Sequence, residues 1–135
     1  MKLWQENLTY LIRYFIDEYG IKDVSQWNFE TWNEPDHKLN QNFTKETYLN
    51  YLNSTIEGLK KASNKLRFGG PGGSCRPHFM EMCRIFLDFV REKMLKIDFV
   101  SFHRKGKFDV DSIIEDEIQT TIPFIHSSIN MVRNL

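Results

Sequence analysis

The apolar residues of this chain recur at two spacings, and the spacing changes several times along the sequence. Apolar residues three or four positions apart predict helices at about Leu3–Tyr19, after Thr44 and around Phe86. Gly20 would end the first helix, and Thr44 would cap the second. The apolar stripes of these three helices are Leu8, Leu11, Ile12, Phe15, Ile16 and Tyr19; Tyr48, Leu52, Ile56 and Leu59; and Phe79, Cys83, Phe86, Leu87, Val90 and Met94.

Short apolar runs lie between the helical stretches and predict strands. They cover about Val24–Trp32, Leu66–Gly69 and Ile97–His103, and the second leads into a glycine-rich turn at 70–73. Bulky side chains would point to both sides of the first strand, so we expect both of its faces to be covered, as in a parallel sheet. The remaining apolar positions, which predict a last helix, are Ile113, Ile114 and Ile118. Helices that alternate with strands predict an α/β fold with parallel neighbouring strands.

Length and charge narrow the class of protein. With 135 residues, the chain is long enough for one domain with a core and too short for two ordinary ones. Its 18 basic and 18 acidic residues balance, which argues against nucleic acid and membrane surfaces as partners. No apolar run is long enough to span a membrane. The N-terminal sequence MKLWQENLTY lacks the apolar segment and the cleavage site of a signal peptide.

Two residue types bear on the compartment. Cys75 and Cys83 would lie about 12 Å apart on one helix, too far for a disulfide, so we expect two free thiols. Three glycosylation sequons begin at Asn7, Asn42 and Asn53. Asn42 is the best candidate for a glycan, because it lies in a polar run before a predicted helix, whereas the other two fall within helical patterns.

Polar residues cluster where the predicted strands end, and this is where α/β enzymes place their functional groups. The first strand ends in Asn33 and Glu34, and the third in His103, Arg104 and Lys105. Partial burial would let Glu34 keep its proton and act as a general acid near neutral or mildly acid pH. Asn33 could then hydrogen-bond a substrate hydroxyl. Lys105 would attract a carboxylate, sulfate or phosphate group on the same substrate.

Each of these residues also has a simpler interpretation. Glu34 could be a surface carboxylate, Lys105 part of an exposed basic loop, and His103 a strand-end histidine with its hydrogen bonds satisfied. The run GGPGGS has neither the GxxxxGK[ST] nor the GxGxxG spacing of a phosphate loop. Close approach of neighbouring backbone explains its glycines better. The sequence therefore predicts no metal and no cofactor.

Three motifs together carry a resemblance that covers most of the chain. WNFETWNEPDH, GLKKAS with LRFGGPG, and DFVSFHRKG resemble the α-L-iduronidase branch of the retaining glycoside hydrolases, which are (β/α)₈ barrels. Asn-Glu-Pro is shared by many barrel glycosidases, whereas Glu-Pro-Asp-His and above all His-Arg-Lys-Gly are typical of this branch. Related β-xylosidases resemble the first motif but lack the basic tetrapeptide. The resemblance implies a partial (β/α)₈ TIM barrel with about three parallel strands, equivalent to strands four to six.

The resemblance also implies roles for single residues. Glu34 would be the acid/base, Asn33 would bind the sugar, Lys105 would hold the uronate carboxylate, and Asn42 stands where the family carries a glycan. The implied substrate is a glycosaminoglycan-derived oligosaccharide that ends in α-L-iduronic acid, from dermatan or heparan sulfate. The implied compartment is the lysosome, although this chain shows no signal peptide.

The chain departs from the family pattern in one important respect. The family nucleophile is a Glu in an Asn-Asp-Glu context on strand seven, and no such tripeptide follows Lys105. Residues 1–135 are therefore expected to be a fragment of a glycoside hydrolase catalytic domain, without activity alone. Two alternatives remain open. One is a truncated, non-catalytic product that binds sugar or regulates a partner. The other is a different glycosidase of the same clan, such as a β-xylosidase, which the basic tetrapeptide speaks against.

Overall fold

Three parallel strands and four helices make up the part of the chain that can be described. The computed structural model describes residues 1–36, 44–73 and 80–103. The elements follow in the order α1 (Lys2–Tyr19), α2 (Ile21–Val24), β1 (Asn28–Glu30), α3 (Lys45–Ala62), β2 (Arg67–Gly73), α4 (Met80–Glu92) and β3 (Phe99–Phe102). The strands form one parallel sheet in the order β1-β2-β3, so β2 is central. This confirms the predicted α/β fold with parallel neighbours.

The two long helices form where the apolar spacing predicts them. The hydroxyl of Thr44 accepts a hydrogen bond of 3.1 Å from the amide of Thr47, which satisfies one free N–H of the first turn of α3. All four residues of the predicted α3 stripe are buried: Tyr48, Leu52, Ile56 and Leu59. The predicted cap and the predicted buried face of α3 are therefore both confirmed.

α1 packs closely against α3 because a glycine lies at the contact. A Cβ on Gly58 would come within 3.0 Å of the Gln5 carbonyl, so the two backbones approach more closely than side chains would allow. The Thr9 hydroxyl donates a hydrogen bond of 3.0 Å to the Gly58 carbonyl. The Trp4 indole donates one of 3.0 Å to the Thr55 hydroxyl. Apolar packing and buried hydrogen bonds thus join the two helices.

The core lies between the helices and one face of the sheet. Phe68 of β2 is buried there, Phe29 and Val100 pack against the same cluster from the outer strands, and Phe86 of α4 is fully buried. On the opposite face of β1, both Asn28 and Glu30 are exposed. The expectation that both faces of this strand are covered is wrong for the described residues. Only the side towards the helices is covered.

Two predicted strand boundaries differ from the structure by more than two residues. The first strand begins at Asn28 rather than at Val24, because Ile21–Val24 form a helical turn that places Val24 in the interior. The predicted turn at 70–73 is instead the second half of β2, which pairs with β3 through an irregular register near its end. A Cβ on Gly69 would overlap the backbone of Phe99, so glycine is required by close neighbours, as predicted, although within a strand.

The cysteine prediction is wrong. Cys83 is disulfide-bonded and buried. The estimate of 12 Å assumed that one helix carries both cysteines, but α4 begins at Met80. The helical spacing therefore does not apply. Cys75, the other cysteine of the chain, lies outside the described residues.

Candidate active site

Two polar side chains meet at the carboxyl end of the sheet, although they come from strands that are not neighbours. Nδ1 of His103, directly after β3, lies 3.0 Å from Oε1 of Glu34, which follows β1. The Glu34 side chain is only 10% exposed and that of His103 is 34% exposed. The site thus holds a largely buried carboxyl group hydrogen-bonded to an imidazole that reaches solvent.

The central strand holds both residues by their backbones. The Glu34 amide donates a hydrogen bond of 2.7 Å to the Gly72 carbonyl, and the His103 amide donates one of 2.8 Å to the Gly73 carbonyl. Because these two residues of β2 carry no side chains, Glu34 and His103 can approach each other over the end of the strand. Two consecutive carbonyl groups of β2 therefore set the relative position of the acid and the imidazole.

The backbone at Glu34 is in an unusual conformation. Its φ angle is +49°, in the left-handed region that residues other than glycine rarely adopt. Such a conformation costs about 1–3 kcal/mol and persists where surrounding structure enforces it, often at functional sites. Here the hydrogen bond to Gly72 and the burial of Pro35 enforce it. The turn aims the carboxyl group back across the end of β2.

A layer of hydrogen bonds fixes the segment between β1 and Glu34. The Tyr51 hydroxyl donates a hydrogen bond of 2.6 Å to the Thr31 carbonyl, and the buried Thr31 hydroxyl donates one of 3.3 Å to the Pro71 carbonyl. Burial raises the pKa of Tyr51 above its ordinary value, and burial likewise raises that of Tyr48, whose hydroxyl lies 3.5 Å from the Thr31 hydroxyl. Both phenols therefore keep their protons and remain hydrogen-bond donors near neutral pH.

Two more carboxylates lie at the same end of the sheet. A Cβ on Gly72 would stand 2.9 Å from the carboxyl carbon of Glu30, and one on Gly73 would stand 3.2 Å from a carboxyl oxygen of Asp36. Despite this acidic surrounding, no group of three or more His, Cys, Asp and Glu in the described ranges is arranged to hold a metal ion.

Aromatic and amide groups flank the carboxyl group. Trp32 is 39% exposed, and its ring packs edge-on against Tyr51 at a centroid distance of 5.4 Å. Asn33 is also exposed, directly beside Glu34. An exposed indole and an exposed amide next to an acid are the kinds of group that contact the apolar faces and hydroxyls of a sugar.

The sequence-based site residues fall into two groups. Glu34 and Asn33 lie together at the strand end, as expected. Lys105, Arg104 and Asn42 lie outside the described residues, so their expected roles stay predictions. The contact between His103 and Glu34 was not predicted, because sequence reasoning left open a site role for His103 and slightly favoured a strand-end histidine with its hydrogen bonds satisfied. The sequence feature that could have indicated this contact is the position of His103 immediately after an apolar strand.

Comparison with known proteins gives one family. The model of the glycosyl hydrolases family 39 matches residues 1–135. An α-L-iduronidase from Canis lupus familiaris is 40% identical over 128 residues, which are 87% of this chain and 20% of that protein. An α-L-iduronidase from Homo sapiens is 41% identical over 125 residues, 84% of this chain and 19% of that protein. The chain thus spans about a fifth of the length of these relatives.

A solved structure supports the fold. The crystal structure of a monomeric β-xylosidase from Caulobacter crescentus CB15 superposes with a TM-score of 0.78 at 20% identity, over 97% of this chain and 28% of that one. The likeness confirms the predicted fold class, a part of a (β/α)₈ barrel with three parallel strands. Among the residues that the structure describes, no helix has the length and apolar character needed to cross a membrane.

Proposed function

The chain belongs to glycosyl hydrolase family 39, and from this membership we propose that residues 1–135 form the acid/base part of an α-L-iduronidase-like (β/α)₈ catalytic domain. The observation that carries the proposal is the largely buried carboxyl group of Glu34 at the carboxyl end of a parallel sheet, hydrogen-bonded to an imidazole. Catalytic groups of (β/α)₈ enzymes lie at this end of the strands.

In the proposed reaction, Glu34 acts twice. First it gives its proton to the glycosidic oxygen as the bond between that oxygen and the anomeric carbon breaks, while a second carboxylate forms a bond to the anomeric carbon. Then the Glu34 carboxylate takes a proton from water, whose oxygen displaces the second carboxylate. The two carboxyl groups of a retaining enzyme stand about 5–5.5 Å apart. We assign the second one to a part of the protein outside these 135 residues, so the isolated chain is expected to be inactive.

The substrate is proposed to be a terminal α-L-iduronide of dermatan or heparan sulfate. The identity of about 40% to proteins named α-L-iduronidase supports this class of substrate, as does the tetrapeptide His-Arg-Lys-Gly at 103–106. In this reading Asn33 binds a sugar hydroxyl and Lys105 pairs with the uronate carboxylate. The proposed reaction needs no cofactor, because two carboxyl groups carry both of its steps.

The protein is proposed to act in the lysosome, with Asn42 carrying a glycan. The disulfide at Cys83 supports passage through an oxidising compartment, because such bonds are rare in the cytosol. The sequon at Asn42 is consistent with the same route.

The proposal is tested with the full-length protein that carries this chain and two aryl glycosides, an α-L-iduronide and a β-D-xyloside. We expect hydrolysis of the iduronide, and a loss of about 10²–10⁴-fold in kcat in Glu34→Gln, the usual contribution of a general acid. Glu46→Gln is the control, because Glu46 is an exposed residue in the first turn of α3.

Other outcomes would identify a different function. Preference for the xyloside would place the protein with the β-xylosidases. Binding of iduronide without turnover would favour the sugar-binding alternative. Turnover by the purified 135-residue chain that disappears in Glu34→Gln would contradict the assignment of the nucleophile to another part of the protein.

A further inference from the structure

We propose that His103 is a positioning residue that orients the carboxyl group of Glu34 for proton transfer. This inference rests on the proposed function and adds to it, because it assigns a role to a residue outside the acid/base and the sugar contacts. Its basis is geometric: the two side chains are 3.0 Å apart, and the backbone of each residue is hydrogen-bonded separately to the end of β2.

The hydrogen bonds of Glu34 and His103 restrict the conformations that the two residues can adopt. The backbone of Glu34 is anchored to Gly72, and that of His103 to the next residue of the same strand. Holding a flexible side chain such as that of Glu in one rotamer costs conformational entropy, so a contact at its end is needed to keep it in place. The backbone hydrogen bond holds one end of Glu34, and Nδ1 of His103 holds the carboxyl group at the other. Loss of the imidazole would therefore release the carboxyl group without releasing the backbone.

Three described side chains near the same end of β2 are arranged differently from His103. Glu30 and Asp36, which lie against Gly72 and Gly73, are carboxylates that accept hydrogen bonds when ionised. The Ser101 hydroxyl accepts a hydrogen bond of 3.1 Å from the Gly72 amide. His103 differs from these groups because its Nδ1 lies 3.0 Å from Oε1 of Glu34.

Two substitutions separate an orienting role from a merely structural one. His103→Asn places an amide nitrogen close to the position of Nδ1, so it can still donate to Oε1. His103→Leu fills a similar volume with no donor. Both keep the backbone bond to Gly73, so both should keep the fold; His103→Ala replaces the leucine variant if that one does not fold.

The test is a series of aryl α-L-iduronides whose phenol leaving groups differ in acidity, measured with the full-length protein. Help from a general acid matters most for a poorly acidic phenol and little for a strongly acidic one. We expect His103→Leu to lower kcat/KM, which reports the first step, by about 10–100-fold on the poorest leaving group and by less than about threefold on the best. His103→Asn should recover most of the lost kcat/KM.

Glu34→Gln measured on the same series keeps the two proposals separable. If Glu34→Gln shows the steep dependence on leaving group but His103→Leu resembles the parent protein, the role of His103 is wrong and the acid/base assignment stands. If His103→Leu slows all substrates equally, or His103→Asn is as impaired as His103→Leu, the orienting role is also overturned. If Glu34→Gln itself has no effect, the proposed function fails first.

Discussion

Alanine substitution of two glycines with positive φ angles should have very different consequences. Gly72 has φ +65° and Gly20 has φ +79°, so an alanine at either position adopts a backbone conformation that costs about 1–3 kcal/mol. A Cβ at Gly20 would meet nothing within 4 Å. A Cβ at Gly72 would overlap the Trp32 carbonyl and approach the Glu30 carboxyl group. Since the Trp32 carbonyl belongs to the backbone, its overlap with the new Cβ costs about 1–3 kcal/mol of stability through overpacking. This cost arises at Gly72 and not at Gly20.

The overlap at Gly72 should also disturb the site. The Gly72 carbonyl accepts the hydrogen bond from Glu34, so a shift between β1 and β2 moves the acid away from His103. Urea denaturation should show Gly72→Ala to be less stable than Gly20→Ala by about 1–3 kcal/mol. Hydrolysis of an aryl α-L-iduronide should fall at least about tenfold in Gly72→Ala and stay near the parent rate in Gly20→Ala. Equal losses of stability and activity in the two variants would refute the reasoning.

Two further substitutions test the supports of the sheet. Tyr51→Phe removes the hydrogen bond of 2.6 Å to the Thr31 carbonyl and should lower the free energy of unfolding by about 1 kcal/mol, whereas Tyr14→Phe on the exposed face of α1 should not. At Asp98, partial burial raises the pKa, but the hydrogen bond from the Phe68 amide and nearby cations outweigh it, so the pKa lies below its ordinary value of 3.8. A lowered pKa means that the ionised carboxylate stabilises the fold above about pH 4 and that this contribution is lost as the pH falls through the folded pKa. Asp98→Asn should therefore lower the free energy of unfolding by about 1–2 kcal/mol at pH 7 and by progressively less below pH 3.8. Urea denaturation at each pH measures this difference, and a difference that does not change with pH would contradict the prediction.

The order of the strands and of the long helices could be predicted from the sequence because α1, α3 and α4 are amphipathic. The buried stripe of α3 and its cap at Thr44 both follow from local spacing. The end of β2 could not be predicted in this way, because glycine and proline are usual signals of a turn. Here glycine is required at 69 by the backbone of Phe99 in β3 and at 72 by that of Trp32 after β1, and that requirement depends on the sheet, not on local sequence.

The candidate active site, too, could be predicted only in part from the sequence. Glu34 was identifiable from its position at a strand end, beside the motif shared with barrel glycosidases. Its contact with His103 was not, because 69 residues separate the two and the strand between them had been expected to end earlier. The disulfide at Cys83 was missed because the predicted separation of the two cysteines assumed that one helix carries both, whereas α4 begins at Met80. The contact between Glu34 and His103 thus depends on the assembled sheet, whereas the disulfide depends on where α4 begins.

The central claim is that Glu34 acts as the acid/base of a retaining reaction, and azide tests it most directly. In the Glu34→Ala variant of the full-length protein, the first step proceeds with an aryl α-L-iduronide whose phenol needs no proton. The second step then stalls because no base activates water. Azide needs no base, so it should accelerate turnover of this variant but not of the parent protein, and the product should be the glycosyl azide with retained α configuration. Absence of acceleration by azide, or an azide product of inverted configuration, would contradict the account.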